Sequence, residues 1–228
     1  MLLAFDTSTA VASVAVYDGA LRGETTWRAE RRHTEQVLPM AIYLLERLGH
    51  GPQDLRAVAV ATGPGSYTGL RVGLALAKGL AVALRLSIIG VDTLEIVAAP
   101  WAVCGRPVRA VVDAGRRRYA TALYEPVGGA LVQREPARGV SLAELVDLAR
   151  PPLLLAGELD AAARAALGTI PGVALAPPVA SVRRAGVLAE LAWPRWQRGE
   201  GIDPAAVVPY YLGEQARRDD PGAREERA

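Results

Sequence analysis

Two acidic residues at the ends of apolar segments are the residues of this sequence best suited to phosphate chemistry. Asp6 follows the apolar residues 2–5 and precedes the hydroxyl residues 7–9. A strand that ends in an acid and turns through small hydroxyl residues can surround a phosphate with hydroxyl and backbone N–H groups, while the acid orders a magnesium-bound water. Asp113 ends a second apolar segment of the same kind. An active phosphate-binding cleft would need both loops.

The second loop differs from the first in a way that argues against catalysis. Asp113 is followed by Ala114 and Gly115 and then by three arginines, residues 116–118, where small or hydroxyl residues would be expected. Long side chains there make a close approach of the backbone to a phosphate unfavourable. We interpret the arginines as solvated or facing a partner, ahead of contact with a phosphate or a nucleic acid. We therefore predict no catalytic residue and a vestigial phosphate loop formed by Asp6, Thr7, Ser8 and Asp113.

Histidine and cysteine residues are too few for the common metal and nucleophilic sites. Cys104 is the single cysteine, and His33 and His50 are the two histidines. No histidine pair has the spacing of a zinc ligand set, so a zinc hydrolase is excluded and no metal site is predicted, although a carboxylate site for magnesium stays open. No serine or cysteine in a nucleophile turn accompanies His33. We therefore predict a capping or interface role for His33, which stands with Glu35 just before a helix.

The composition describes a folded chain without a strong charge bias. Of the 228 residues, 51% are hydrophobic, which supplies enough apolar surface for a core. The 26 basic and 24 acidic side chains give a formal net charge of +2, so strong non-specific binding to nucleic acid is not expected. The longest apolar stretch, residues 74–86, is short and contains Lys78 and Arg85. We therefore predict no membrane span and a cytoplasmic protein.

An internal repeat predicts the architecture. Residues 3–6 and 13–18 read as a β-hairpin, and residues 110–113 and 121–125 read as a second hairpin with the same spacing. Three residues recur at one constant shift along the chain: Asp6, Tyr17 and Asp18 as Asp113, Tyr124 and Glu125. Each hairpin is followed by a glycine turn, a third strand, and alternating helix and strand patterns. The sequence therefore predicts an α/β protein built from two β-β-β-α-β-α units.

The predicted units set the boundaries of the lobes. Prolines and a glycine between residues 100 and 107 mark the junction. We assign residues 1–104 to an N-terminal lobe and residues 105–213 to a C-terminal lobe. Residues 214–228 carry charges of both signs, and we predict a disordered tail there.

A glycine-rich segment, residues 62–73, follows a buried strand and opens the helix predicted over 67–84. It is not a phosphate-binding P-loop, because the lysine and the spacing of that motif are both missing. Four small residues recur at every fourth position of the helix: Gly69, Gly73, Ala77 and Ala81. Such a stripe lets another helix approach closely. The spacing supports equally a packing against this chain's own first helix and a surface shared with another chain, which Met40 and Tyr43 would extend.

These segments resemble the bacterial TsaB (YeaZ) family over nearly the whole chain. The glycine-rich block is the most specific of the matching segments, which are residues 1–9, 33–39, 63–73, 90–94, 113–114 and 209–212. One residue departs from the family pattern, since Gly213 stands where the family usually has arginine.

The resemblance implies a two-lobed actin/sugar-kinase/Hsp70-like (ASKHA) fold and a non-catalytic role. It implies a subunit that supports threonylcarbamoyl transfer to the adenosine next to the anticodon of tRNAs that read ANN codons. In that pathway the paralogue TsaD holds the metal and transfers the group, and the ATPase TsaE docks on the TsaB–TsaD pair. ATP or ADP would act only through the assembled complex, tRNA would be contacted only indirectly, and the lone chain would form a homodimer.

The resemblance also implies that the TsaD contact uses the helices after His33 and after Thr68. The residues assigned to this contact, or to the homodimer, are His33, Glu35, Met40, Tyr43, Tyr67, Gly69, Gly73, Ala77 and Ala81. The alternative from another class is an active ASKHA phosphotransferase that acts on a small molecule. That activity would require both phosphate loops and an adenine pocket, of which Gly157 and Glu158 are at most a fragment.

Overall fold

The strands of the computed structural model, which describes residues 1–30 and 32–212, form two mixed sheets. The first sheet contains β1 (Leu2–Asp6), β2 (Val11–Tyr17), β3 (Leu21–Arg28), β4 (Ala57–Gly63) and β5 (Ser87–Asp92), in the order β3-β2-β1-β4-β5. The second sheet contains β6 (Val108–Asp113), β7 (Tyr119–Val127), β8 (Ala130–Gln133), β9 (Arg138–Val140), β10 (Leu153–Gly157) and β11 (Val173–Leu175). Its main order is β11-β10-β6-β7-β8, and β9 pairs with β7 at the edge.

The two sheets have the same topology. In the first, β1 is the central strand, antiparallel to β2 and parallel to β4. In the second, β6 takes that place, antiparallel to β7 and parallel to β10. Asp6 and Asp113 therefore end equivalent strands. This repeated order confirms the predicted duplication and the two-lobed α/β fold.

Among residues 1–30 and 32–212, six α-helices cover the sheets, and α2 coincides with the helix predicted over residues 67–84. Their bounds are α1 His33–Arg47, α2 Tyr67–Leu84, α3 Thr93–Ala98, α4 Leu142–Asp147, α5 Ala161–Leu167 and α6 Ala185–Gln197. Successive side chains of a strand point to opposite faces, so β1 divides its apolar residues between two layers. Leu3 and Phe5 pack with α1 and α2, whereas Leu2 and Ala4 pack with α6.

The placement of α6 differs from the sequence-based boundaries. Its position in the chain assigned it to the C-terminal lobe, but Ala185, Leu188 and Ala192 are buried against the first sheet. The reverse holds for α3, where Leu94 and Val97 pack on the second sheet. Each sheet therefore receives one covering helix from the other half of the chain. The division at residue 104 separates the two sheets, and the division of the chain into two domains there stays a prediction. The predicted tail and Gly213 lie outside the described residues.

One helix, α2, is long and apolar enough to cross a membrane by length and composition, and no other helix in the described ranges is. The apolar stretch that begins at Leu74 is too short to span a membrane, but the helix starts two turns earlier, at Tyr67. In the structure Leu70, Leu74 and Ala77 are buried in the first lobe, where α2 packs on β4. The helix therefore packs on the first sheet through one face, and the rest of its surface is exposed or half-buried.

A half-buried carboxyl group lies where the chain passes from the first sheet to the second. Asp92 caps α3 by accepting hydrogen bonds from Leu94 N at 2.7 Å and Glu95 N at 3.2 Å. Burial raises the pKa of Asp92 to about 6. The two hydrogen bonds and the charge of Arg195 lower this pKa, the charge of Glu95 raises it, and burial is the largest of these effects. Since the folded pKa exceeds the unfolded one, this group favours the folded state at low pH and disfavours it as the pH rises through about 6.

We expect Asp92→Asn to stabilise the protein at neutral pH but not in acid. Asparagine can still cap α3 and carries no charge, so the free energy of unfolding should rise by about 2 kcal/mol at about pH 7.5, with no gain at about pH 4. Urea denaturation across this pH range measures the difference. Asp160→Asn is the matched control with the opposite sign, because the Ala163 N–H lowers the pKa of the Asp160 cap. A gain that does not depend on pH would contradict the prediction.

Candidate functional site

The loop after β1 uses its polar groups inside the protein. Asp6 Oδ1 accepts hydrogen bonds from Ser8 N at 2.8 Å and from Ser8 Oγ at 2.5 Å. The Thr7 hydroxyl donates to the carbonyl oxygen of Gly69 at 2.8 Å. All three residues are buried. The groups that would surround a phosphate are therefore turned inward and already have partners.

Arg183 is the cation that meets the Asp6 carboxylate. Its Nε donates to Asp6 Oδ2 at 2.8 Å, and its two terminal nitrogens donate to Glu158 Oε1 at 3.0 Å and to Thr9 Oγ1 at 2.5 Å. The Arg183 side chain is only 4% exposed. Burial opposes its charge, but the carboxylates of Asp6 and Glu158 outweigh burial and raise the pKa of Arg183 above its ordinary value. The guanidinium is charged at every physiological pH.

The loop after β6 is held by hydrogen bonds of its own. Asp113 Oδ1 accepts from Gly115 N at 2.7 Å, and Asp113 N donates to Glu158 Oε2 at 2.9 Å. Arg116 and Arg117 have positive φ angles of 53° and 59° and line the space between the lobes, whereas Arg118 turns away to the carbonyl oxygen of Gly139. Asp113 thus lines the space between the lobes, Asp6 is buried beside it, and the two are linked through Arg183 and Glu158.

The cleft between the lobes is a cavity of about 790 Å³ with mixed charge. Its walls include Thr9, Arg28, Ser66 and Tyr67 of the first lobe and Asp113, Arg116, Arg117, Glu158 and Asp160 of the second. Asp160 caps α5, Glu158 is paired with Arg183, and Asp113 accepts from Gly115 N, so each of the three acids that line the cleft has a hydrogen-bond partner. Within residues 1–30 and 32–212, no three histidine, cysteine or acidic side chains come together as a metal site.

The small-residue stripe of α2 faces the interior of the lobe, which corrects one of the two interpretations of its spacing. A Cβ atom on Gly69 would lie 2.0 Å from the backbone oxygen of Thr7, and one on Gly73 would lie 2.3 Å from Thr7 Oγ1. Ala77 and Ala81 are buried in the core against the first sheet. These four residues therefore pack on β4 and the loop after β1, and they cannot form a surface for another chain.

The exposed side of α2 forms a groove with α1. This α1–α2 groove is a cavity of about 590 Å³ lined by His33, Thr34, Leu38, Tyr67, Thr68, Arg71, Val72, Ala75 and Leu76. At its rim, Arg71 donates to the Tyr67 hydroxyl at 2.7 Å and lies 5.2 Å from the centre of that ring. The Tyr67 ring also contacts Tyr211, with ring centres 5.0 Å apart. The groove floor is apolar and open to solvent.

The other predicted contact residues of the helices occupy different positions. Tyr43 and Tyr67 are 56% and 58% exposed, Glu35 is exposed, and Met40 is half-buried. His33 is buried, and its Nε2 donates to the carbonyl oxygen of Thr9 at 2.8 Å. The His33 side chain does not cap α1, so the predicted capping role is wrong. Its ring ties the start of α1 to the first loop and lines the groove.

Sequence reasoning missed two sets of residues. Leu38, Val72, Ala75 and Leu76 were not singled out, although a helix whose small stripe is internal must present its other residues outward. Arg183 was missed because its partner Asp6 lies 177 positions away and nothing local distinguishes it from the other arginines.

The known proteins that this chain resembles in sequence and in fold carry closely related names. The family model "TsaD: tRNA N6-adenosine threonylcarbamoyltransferase" matches residues 26–182. The "tRNA threonylcarbamoyladenosine biosynthesis protein TsaB" of Bacillus subtilis is 35% identical over 159 residues, which cover 68% of this chain and 69% of that one. The protein of the same name from Escherichia coli is 34% identical over 147 residues, 64% of each chain. The solved structure of YeaZ from Pseudomonas aeruginosa has a TM-score of 0.77 at 27% identity and covers 92% of this chain and 99% of that one.

Proposed function

Since this chain belongs to the TsaB (YeaZ) family, we propose that it takes part in making threonylcarbamoyladenosine on tRNA as a non-catalytic subunit that binds and activates a TsaD-type transferase. The modified adenosine is the one next to the anticodon of tRNAs that read ANN codons, and a TsaE-type ATPase docks on the assembled pair. The chain works in the cytoplasm, contacts tRNA only indirectly, uses ATP or ADP only through the complex, and pairs with itself when the transferase is absent.

The α1–α2 groove is the observation that carries this proposal. Leu38, Val72 and Leu76 give it an apolar floor that no part of the described chain covers. Covering such a floor with a partner removes apolar surface from water, which is the main favourable contribution to most protein associations. Tyr67 and Arg71 at the rim are of the residue types that dominate interface energies. The outward face of α1 and α2 is therefore suited to a protein partner.

The cleft supports the non-catalytic part of the proposal. Arg183 forms ion pairs with both Asp6 and Glu158, and the hydroxyls of Thr7 and Ser8 donate inside the protein. A phosphotransferase needs these groups free to orient a metal ion and a phosphate. The arrangement therefore disfavours the alternative of an active ASKHA phosphotransferase.

Reconstitution with the TsaD-type protein of the same organism tests the proposal. Calorimetry should detect a complex, and threonylcarbamoyladenosine formation on tRNA should increase when this chain is added to the transferase. The α1–α2 groove variant described in the Discussion should lose both effects. Modification at full rate without this chain, with no complex detected, would contradict the proposal.

A further prediction concerns nucleotide binding by the isolated chain. Because Arg183 is paired with Asp6 and Glu158, we expect ATP with magnesium to bind with a dissociation constant above about 1 mM. This corresponds to a binding free energy weaker than about −4 kcal/mol. Isothermal titration calorimetry measures this directly, with the assembled complex as the comparison. Micromolar, magnesium-dependent binding to the lone chain, or robust ATP hydrolysis by it, would restore the phosphotransferase alternative.

A further inference from the structure

Arg183 contacts both lobes through three separate hydrogen bonds. Asp6 ends β1 and Thr9 follows it in the first lobe, and Glu158 follows β10 in the second. Arg183 itself lies just before α6, on the segment that returns from the second sheet to the first. Its side chain is almost completely removed from solvent. A guanidinium in such a place is stable only with charged partners and good geometry, and here both are present.

The carboxylates on either side of Arg183 extend the contact into the backbone of each lobe. Asp6 accepts the N–H of Ser8, and Glu158 accepts the N–H of Asp113. A continuous set of hydrogen bonds therefore runs from the loop after β1, through Arg183, to the loop after β6. Because one cation joins a carboxylate of the first lobe to a carboxylate of the second, separating the lobes would break at least one of the two ion pairs of Arg183.

We propose that Arg183 is a built-in cation that holds the two lobes closed across the cleft. In a two-lobed protein that binds a ligand, the ligand supplies the interactions that favour closure. Here a side chain of the protein supplies them permanently, and its positive charge between Asp6 and Glu158 also opposes entry of a metal ion. The inference concerns the closure of the cleft and does not depend on the identity of the partner at the α1–α2 groove.

Hydrogen exchange at two backbone amides tests the proposal, because one amide reports on each lobe. In Arg183→Met, which keeps much of the side-chain volume and removes the charge, Ser8 and Asp113 should both exchange about tenfold faster or more. The matched control is Arg184→Met, since Arg184 is adjacent, half exposed and paired with Glu24 away from the cleft. The control should leave both amides unchanged. Slow exchange at both amides in Arg183→Met, or equal acceleration in the control, would overturn the proposal.

Glu158→Gln provides a second and sharper test, and it decides the matter if Arg183→Met does not fold. Glutamine can still accept the Asp113 N–H, and the contacts of Arg183 with Asp6 and Thr9 in the first lobe stay intact. If Arg183 holds the lobes together, cutting its bond to the second lobe should open the cleft and accelerate exchange at Ser8 as well. Faster exchange at Asp113 alone, with Ser8 unchanged, would mean that Arg183 stabilises only the loop after β1 in the first lobe, and it would refute the proposal.

Discussion

Gly69→Ala is expected to lower the free energy of unfolding by at least about 3 kcal/mol, the upper part of the usual range for overpacking. The added Cβ atom would lie 2.0 Å from the backbone oxygen of Thr7, so the loop after β1 or the whole of α2 must move. Movement of that loop would also weaken the hydrogen bond from the Thr7 hydroxyl to Gly69 O and expose Asp6, which is buried. Urea or thermal denaturation of the purified variant measures the loss.

Gly79→Ala is the matched control for this substitution. It makes the same change in the same helix, but nothing lies within 4 Å of the added Cβ atom. The gain in helix propensity should then stabilise the protein by about 0.5–1 kcal/mol. If Gly69→Ala instead kept its stability and lost affinity for the TsaD-type transferase, the small-residue stripe would be a partner surface after all.

Ala75→Arg should weaken binding of the TsaD-type transferase by about 100-fold or more, which corresponds to about 2.8 kcal/mol at 1.4 kcal/mol for each factor of ten. Ala75 is exposed and lies in the α1–α2 groove, so the isolated chain can accommodate a longer side chain there. In a complex, the new guanidinium would fill the groove and be buried next to Arg71 without an acidic partner. Calorimetry with the transferase gives the affinity.

The thermal stability of Ala75→Arg is part of the same prediction. Its melting temperature should stay within about 3 °C of the parent chain, because the substitution changes an exposed helix position. Val103→Arg makes a similar change at a residue that is 94% exposed and distant in the chain from α1 and α2, and it should leave affinity unchanged. Unchanged affinity in Ala75→Arg would show that the partner docks elsewhere.

The architecture could be predicted from the sequence because burial imposes a pattern on local residues. The continuous apolar residues of β4 and the paired hairpins around Asp6 and Asp113 follow from strand geometry, and the constant shift between the halves revealed their duplication. The destination of α6 could not be predicted in this way. Its apolar side indicates that it packs against something, but local periodicity does not say which of two similar sheets it covers.

The site was predicted less completely because its decisive contacts join distant residues. Asp6 and Asp113 were singled out as acids that end equivalent strands, while Arg183, which forms an ion pair with Asp6, was not. The stripe from Gly69 to Ala81 was recognised as a surface of close approach, but small residues suit a strand layer and a partner helix equally well. Only the position of Thr7 above Gly69 and Gly73 distinguishes the two.

The crossing of α6 to the first sheet determines the order in which the chain can complete its lobes during synthesis. The last strand of the second sheet ends with Leu175, so all its strands have been made while residues 185–197 are still to be synthesised. Until α6 emerges, the face of the first sheet that carries Leu2, Ala4 and Ile89 has no cover. The sheet that is translated first therefore receives its cover only after every strand of the second sheet has been made, and during that interval its open apolar face is a site for chaperones or for aggregation.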